Sequence, residues 1–419
     1  MREMKDSGVE WIGEIPETWI VERLQWHLDE IKESNSPIKT TQVLSLTNKA
    51  GVIPYEDKGE QGNKAKENYD EYKLAYPDTI VANSMNILIG SVGICRYFGC
   101  VSPVYYVFKP KGNELLSYLN YVFQMEQFQK ELRRYANGIL EIRLRLSSAN
   151  IIKRYVAFPS HEEQIAISHF LDRKCTQIDA LISNAQQQIE KLKAYKQSLI
   201  TETVTKGLNP DVQMKDSGVE WIGEIPKHWT VAPIRSFFKI KKDIIGHEPD
   251  IVLSITQGGI KVKDINENSG QMANSYAHYQ IVNIGDFAMN HMDLLTGGVG
   301  ISEFEGVTSP DYRVFVIRNA EMNPRYFLYV FQMYYRNKIF YAFGQGAANL
   351  GRWRLPAQNF NTVAVPLSPV EEQNSIVTFL DEKCTQIDKL IDLKQQKIEK
   401  LQQYKKSLIY EYVTGKKEV

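Results

Sequence analysis

The sequence predicts an α+β protein: two globular mixed α/β blocks joined by two long antiparallel coiled-coil helices, arranged as a pseudo-two-fold tandem repeat. Three observations predict it. Residues 4–19 (MKDSGVEWIGEIPETW) recur at 214–229 (MKDSGVEWIGEIPKHW), with 14 of 16 positions identical. Residues 162–207 and 371–416 form a second repeated pair at almost the same offset, and both copies carry an apolar heptad seam. The stretches between, 20–158 and 230–366, are mostly dissimilar and rich in short β-type runs and turn residues.

Composition bounds the rest. A chain of 419 residues supports two or more domains, each with its own core. A hydrophobic fraction of 43%, with 23 Tyr and 17 Phe, excludes a disordered chain. No run approaches the roughly 18 apolar residues of a membrane helix. The first residues, MREMKD, hold no apolar core and do not read as a signal peptide. The four cysteines, at 95, 100, 175 and 384, form no CxxC pair, so neither a disulfide framework nor a zinc site is expected. A cytoplasmic location and no membrane partner follow as expectations. The 50 Lys+Arg balance 50 Asp+Glu, so any phosphate neutralisation by this chain is local.

The elements follow in chain order. Trp11, Ile12, Ile15, Pro16 and Trp19, with copies at 221, 222, 225, 226 and 229, are predicted to pack where each block joins the helices. In the first block, Thr79–Ala82, Asn86–Ile89 and Val104–Phe108 read as strands between Gly, Pro and Asn turns. Helix-like stretches follow around 114–135 and 322–343. Faint correspondence survives between the blocks: Asn83-Ser84-Met85-Asn86 with Asn290-His291-Met292-Asp293, and Tyr121–Met125 with Tyr329–Met333.

Leu171, Cys175, Ile178, Ile182, Ala185, Ile189, Leu192, Lys196 and Leu199 then step by four and three, as do Leu380 to Leu408 in the second copy. Such a helix cannot bury its seam alone. The two copies are therefore expected to pair antiparallel, bringing the N-terminal frame segment near the C-terminal helix. Cys175 and Cys384 then sit at opposite ends as core residues. Lys196, Lys394 and Lys405 on the seam read as snorkelling edge residues. Gly207 and Gly415 stop the helices. The resulting divisions are 1–160, 161–207, 208–368 and 369–419.

Candidate nucleic-acid groups cluster in both blocks. In the first they are Lys49, Lys58, Asn63, Lys64 and Lys66, then Arg133, Arg134, Arg143 and Arg145. In the second they are Gln257, Lys261 and Lys263, then Gln345, Asn349, Arg352 and Arg354. Arg145-Leu146 and Arg354-Leu355 occupy equivalent positions. Arg and Lys supply donors to guanine and phosphate, and Asn and Gln amides match adenine. Any one of them alone reads more readily as a solvated surface residue; the clusters carry the signal.

Catalytic signatures are missing. There is no phosphate-binding G-x-x-x-x-G-K-[ST] loop, and Gly297-Gly298-Val299-Gly300 reads as a turn at a strand edge. No Asn/Asp-Pro-Pro-aromatic methyltransferase motif and no H-E-x-x-H occur. The seven histidines do not cluster. No catalytic or metal-binding residue is assigned.

The plan resembles the specificity subunit of type I DNA restriction–modification systems, across essentially the whole chain. The tandem GVEWIGEIPxxW segments (Gly8–Trp19 and Gly218–Trp229) carry the resemblance. So do EEQ with FLDxKCTQID (Glu162–Asp179 and Glu371–Asp388) and the IEKL…YKxSLI helix ends. The resemblance implies two target-recognition domains reading a bipartite, asymmetric site in double-stranded DNA. It implies two modification (methyltransferase) subunits as partners, which hold S-adenosylmethionine, and motor–nuclease restriction subunits beyond them. It implies no catalysis and no cofactor in this chain. Two other classes stay open from the residues alone: an enzyme with unfamiliar motifs, and a coiled-coil interaction protein without DNA.

Overall fold

The computed structural model describes residues 2–47, 51–59, 68–113, 115–137, 144–264, 273–346 and 353–419. The chain divides into two compact units, 1–186 with 395–419, and 187–394. Each unit thus contains one globular block and one half of each long helix.

In the first unit a four-stranded antiparallel sheet is built from β1 (Leu28–Ile31), β2 (Thr79–Asn83), β3 (Val92–Cys95) and β4 (Tyr105–Pro110). The order is β1-β4-β2-β3, with Val107 opposite Val81 and Phe108 opposite Ile80. The helix α1 (Leu116–Gln124) follows, then a second short helix, Glu126–Arg133. Alternation along β2 and β4 buries Ile80, Ala82 and Phe108 against Tyr118, Val122 and Phe128. Asn86–Ile89, expected as a strand, is instead a single 3₁₀ turn at Ile87–Ile89, closed by left-handed Gly90. The segment lies in the connection that reverses the chain between β2 and β3, and its carbonyls bond locally, Asn86 O accepting from Ile89 N and Ile87 O from Gly90 N, both at 3.0 Å. The long helix α2 runs His161–Lys206.

The second unit repeats this plan. Strands β5 (Phe238–Lys241), β6 (Phe287–Met289), β7 (Val299–Ile301) and β8 (Arg313–Ile317) assemble in the order β5-β8-β6-β7. Helix α3 (Pro324–Arg336) packs on the sheet, and α4 runs Val370–Val413. Phenylalanines dominate this core: Phe238 meets Phe287, Phe315, Phe327 and Phe331 with centroids 5.1–5.4 Å apart.

The helix halves are antiparallel within each unit. In the first, the Phe170 ring lies 4.4 Å from Tyr412, and Asp179 pairs with Lys405 at 2.7 Å. In the second, Lys394 donates to Gln188 at 2.5 Å and Lys196 pairs with Asp388 at 2.6 Å. The seam is buried or half-buried along its length. The seam lysines are not merely snorkelling, however. Lys196 and Lys405 each meet the aspartate of the Cys-Thr-Gln-Ile-Asp motif on the facing helix, a partner that the spacing along one helix does not reveal. All four cysteines are buried free thiols.

The frame segments seat on helix ends. Trp19 and Trp229 are fully buried. Trp19 and Pro16 pack on Gly415, at the end of α4, and Trp229 and Pro226 pack on Gly207, at the end of α2. The chain's N-terminal segment therefore packs on its C-terminal helix, as the repeat predicts. Two tyrosines weld each block to the helices. Tyr118 lies within hydrogen-bond reach of the carbonyls of Ala157 (2.8 Å) and Val413 (3.0 Å), and Tyr326 of those of Pro366 and Val204. Tyr121 donates to Asp172 and Tyr329 to Asp381, both at 2.6 Å. Burial and these carboxylates push both phenols far above the usual range, so they remain donors at any physiological pH.

Candidate nucleic-acid interface

The variable blocks place their candidate residues on two features each. The first is a β-hairpin over the sheet. In the first unit it comprises Leu44–Thr47 and Gly51–Pro54, and in the second Leu253–Thr256 and Gly259–Val262. Apolar alternation holds each hairpin down: Leu44, Leu46 and Val52 are buried, as are Leu253 and Ile255. Gln257 sits at the second turn, exposed, and its Nε2 donates to Thr296 O at 3.1 Å. Lys261 is exposed on the returning strand, and the Lys263 amide donates to Val252 O at 2.8 Å. Lys58 lies in the 3₁₀ turn after the first hairpin, its ammonium 5.3 Å from the Tyr55 ring centroid.

The second feature is a pair of residues that cross-bond after the helical stretch. Asn137 and Arg145 exchange backbone hydrogen bonds of 2.8 and 2.9 Å, and Gln345 and Arg354 exchange bonds of 2.8 and 3.1 Å. The next residue in each case, Leu146 or Leu355, is fully buried. Its amide donates to Ser84 O (3.2 Å) or His291 O (2.8 Å). Arg145, Gln345 and Arg354 are all exposed. The equivalence of Arg145-Leu146 and Arg354-Leu355 is thus an equivalence of backbone bonding.

In the second unit the segment Asn290–Gly298 connects the two features, because His291 meets the loop base and Thr296 meets the hairpin turn. His291 is kept neutral. Burial, with Arg313 and Arg354 beside it, drives its pKa down to about 3.

Two arginines nearby differ in their surroundings. Arg133 ends its helix exposed. Arg134 pairs with Glu10 at 3.0 Å and Glu131 at 3.3 Å, so it ties the helix to the frame segment. Lys49, Asn63, Lys64, Lys66, Arg143, Asn349 and Arg352 lie outside the described residues.

Sequence reasoning missed a cleft that recurs in both units. In the first it is about 460 Å³ and is lined by Arg96, Tyr97, Asn120 and Gln124 among others. In the second it is about 350 Å³ and is lined by Gln257, Gln332, Arg336 and Lys338 among others. Gln124 and Gln332 belong to the repeated Tyr-Val-Phe-Gln-Met run, the one available signal. Among the described residues no group of His, Cys, Asp or Glu could hold a metal ion. No helix among them is long and apolar enough to cross a membrane.

The comparisons with known proteins bear on this geometry. A model of the type I restriction modification DNA specificity domain matches residues 226–403. The chain is 24% identical over 439 residues to a putative type I restriction enzyme MjaX specificity subunit of Methanocaldococcus jannaschii, covering 97% of this chain and 95% of the relative. The chain is thus similar to type I specificity subunits, over its second half by the family model and over nearly its whole length by the relative. A solved structure shares the fold. One chain, from work on complex assembly and conformational transition of the type I R-M system, superposes with a TM-score of 0.69 at 10% identity, over 95% of this chain and 98% of that one. The HsdS subunit of Thermoanaerobacter tengcongensis superposes at 0.49 with 11% identity, over 96% and 98%.

Proposed function

We propose that this chain is the DNA-reading specificity subunit of a type I restriction–modification assembly. Each block reads one part of a bipartite, asymmetric duplex site, with an unread spacer between. The observation that carries the reading is the duplicated frame, with its tyrosine bonds to the same carbonyls and aspartates repeated in both units, around two dissimilar surfaces. Two different readers on equivalent seats match two different half-sites. The exposed Arg145, Gln345 and Arg354, with Gln257 and Lys261, are of the types that read base edges and phosphates.

The long helices act as a ruler. At 1.5 Å per residue, helices of 46 and 44 residues extend roughly 65–70 Å, against about 34–36 Å for one turn of B-DNA. The helices also offer two equivalent docking faces. Leu181 and Tyr404 are exposed in the first unit, two residues from Asp179 and one from Lys405. Their copies Leu390 and Tyr195 are exposed in the second, in the same relation to Asp388 and Lys196. Two identical methyltransferase subunits fit two such faces. Those partners would hold S-adenosylmethionine and take adenine out of the stack for methylation. Motor–nuclease subunits would complete the restriction complex. This chain contributes recognition and positioning, and no chemistry.

The test is methylated-base sequencing of DNA from a host expressing this chain with its methyltransferase subunit. The expected result is a gapped two-part motif carrying N6-methyladenine. Exchanging one block should alter one half only. No new methylation from an assembled complex would leave a coiled-coil scaffold without DNA as the better account. Inserting a heptad in each helix should lengthen the spacer or abolish assembly; an active complex with unchanged spacing would sink the ruler.

A further inference from the structure

The carbonyls of Leu146 and Leu355 are buried acceptors that need a donor. In the first unit Tyr106 Oη donates to Leu146 O at 3.0 Å. In the second, Arg313 Nη2 donates to Leu355 O at 2.7 Å. Tyr106 and Arg313 occupy the same place in their sheets. Tyr106 pairs with Ala82 next to Val107↔Val81, and Arg313 pairs with Met289 next to Val314↔Ala288. Two unlike side chains at one strand position therefore make one bond, to the residue directly after the exposed Arg145 or Arg354. Convergence of a phenol and a guanidinium on the same carbonyl marks the bond as the feature retained.

Arg313 is an expensive way to make it. Only 5% of the residue is exposed, and its Nη1 has no partner among the described residues. Its guanidinium lies 4.7 Å from the Phe360 ring centroid, one of its few compensations for lost water. A core chosen for stability alone would place an apolar residue or the tyrosine here.

We propose that Tyr106 and Arg313 are positioning residues: each fixes the seat of the reading arginine beside it, Arg145 or Arg354, and so sets the sequence specificity of its own half-site. The inference rests on the DNA-reading function proposed above. Without the bond, the buried carbonyl loses its donor and the Asn137–Arg145 or Gln345–Arg354 pairing loses its anchor. The arginine then samples several positions, and discrimination between bases falls.

The experiment uses the full chain co-expressed with its methyltransferase subunit. Tyr106→Phe removes only the hydroxyl. It should lower methylation at the wild-type motif about 3- to 10-fold and relax the first half-site, leaving the second half-site unchanged. Arg313→Met should do the converse, and Arg313→Lys, which keeps a donor, should restore the second half. Unchanged rate and motif in Tyr106→Phe would overturn the proposal. Equal loss at both halves would overturn it too, because that is the signature of a general structural role. Amide hydrogen exchange on the purified Tyr106→Phe chain separates this failure from that of the parent function. Faster exchange at Asn137 and Arg145, with Gln345 and Arg354 unaffected, establishes the anchor whether or not DNA is methylated. Unchanged exchange rejects it.

Discussion

Substituting the two helix-ending glycines by alanine should cost unequal amounts, though their sequence contexts look alike. Both glycines are left-handed, with φ of 75° at Gly207 and 70° at Gly415. Alanine in that conformation costs about 1–2 kcal/mol from its Cβ alone. The surroundings then differ. A Cβ on Gly415 would lie 2.4 Å from Pro16 Cδ and 2.5 Å from its Cγ, inside contact distance of a rigid ring. A Cβ on Gly207 would first meet Trp229 Cζ2 at 3.2 Å, with Pro226 no nearer than 3.8 Å. Overpacking of the first kind adds about 1–3 kcal/mol, because Pro16 and the Trp19 beneath it must shift together. The expected losses are ~1–2 kcal/mol for Gly207→Ala and ~2–5 kcal/mol for Gly415→Ala. Denaturant unfolding of the full chain, followed by circular dichroism and tryptophan fluorescence, measures both. Trp19 and Trp229 are buried reporters at the two seats. Equal losses, or a Gly415→Ala loss below about 1 kcal/mol, would refute the claim that the frame proline and tryptophan clamp the end of the last helix.

Three further outcomes are expected. Arg145→Ala should weaken recognition of one half-site and Arg354→Ala of the other, by about 1–3 kcal/mol each; methylated-motif sequencing checks this, and loss at both halves would demote them to backbone contacts. Lys405→Met or Lys196→Met should cost under about 1 kcal/mol, since their aspartates are more than half exposed, and salt should erase most of the difference in denaturant midpoint. His291, depressed to about 3, takes up its proton in the unfolded chain first. Its contribution is therefore whole above about pH 6.5 and declines as pH falls toward 3, by at most ~1.4 kcal/mol per unit. His291→Asn should flatten the stability loss between pH 7 and 5, and an unaltered acid slope would mean that water reaches the imidazole.

Much of the plan was legible because it is written in short-range terms. A heptad seam is a spacing along one helix, so Leu171 to Leu199 and Leu380 to Leu408 announce two long amphipathic helices. Identity between 4–19 and 214–229 announces duplication. Glycine after each helix and aromatic residues in the frame predict the caps and their packing. The strand reading of Asn86–Ile89 failed because apolar, β-prone residues do not say whether a neighbouring strand is within reach; the chain there turns through 3₁₀ geometry.

The candidate interface was legible only as residue types. In sequence Arg145 and Arg354 stand out as cations beside a repeated leucine, but Arg134 is equally a candidate by type and pairs with Glu10. Nothing near Arg96, Arg336 and Lys338 in sequence distinguishes these cleft residues from solvated charges.

By itself, then, the sequence determined the duplication, the helices and their antiparallel pairing, and the split between kept frame and rewritten blocks. Only the tertiary structure decided which groups share work: Lys196 with Asp388, Trp19 with Gly415, Tyr106 with Leu146 and Arg313 with Leu355. The reason is physical. Periodicity and propensity act within a few residues, whereas a buried carbonyl takes its donor from whatever strand the fold brings near. A tyrosine and an arginine can fill that place equally, leaving no common letter for the sequence to display.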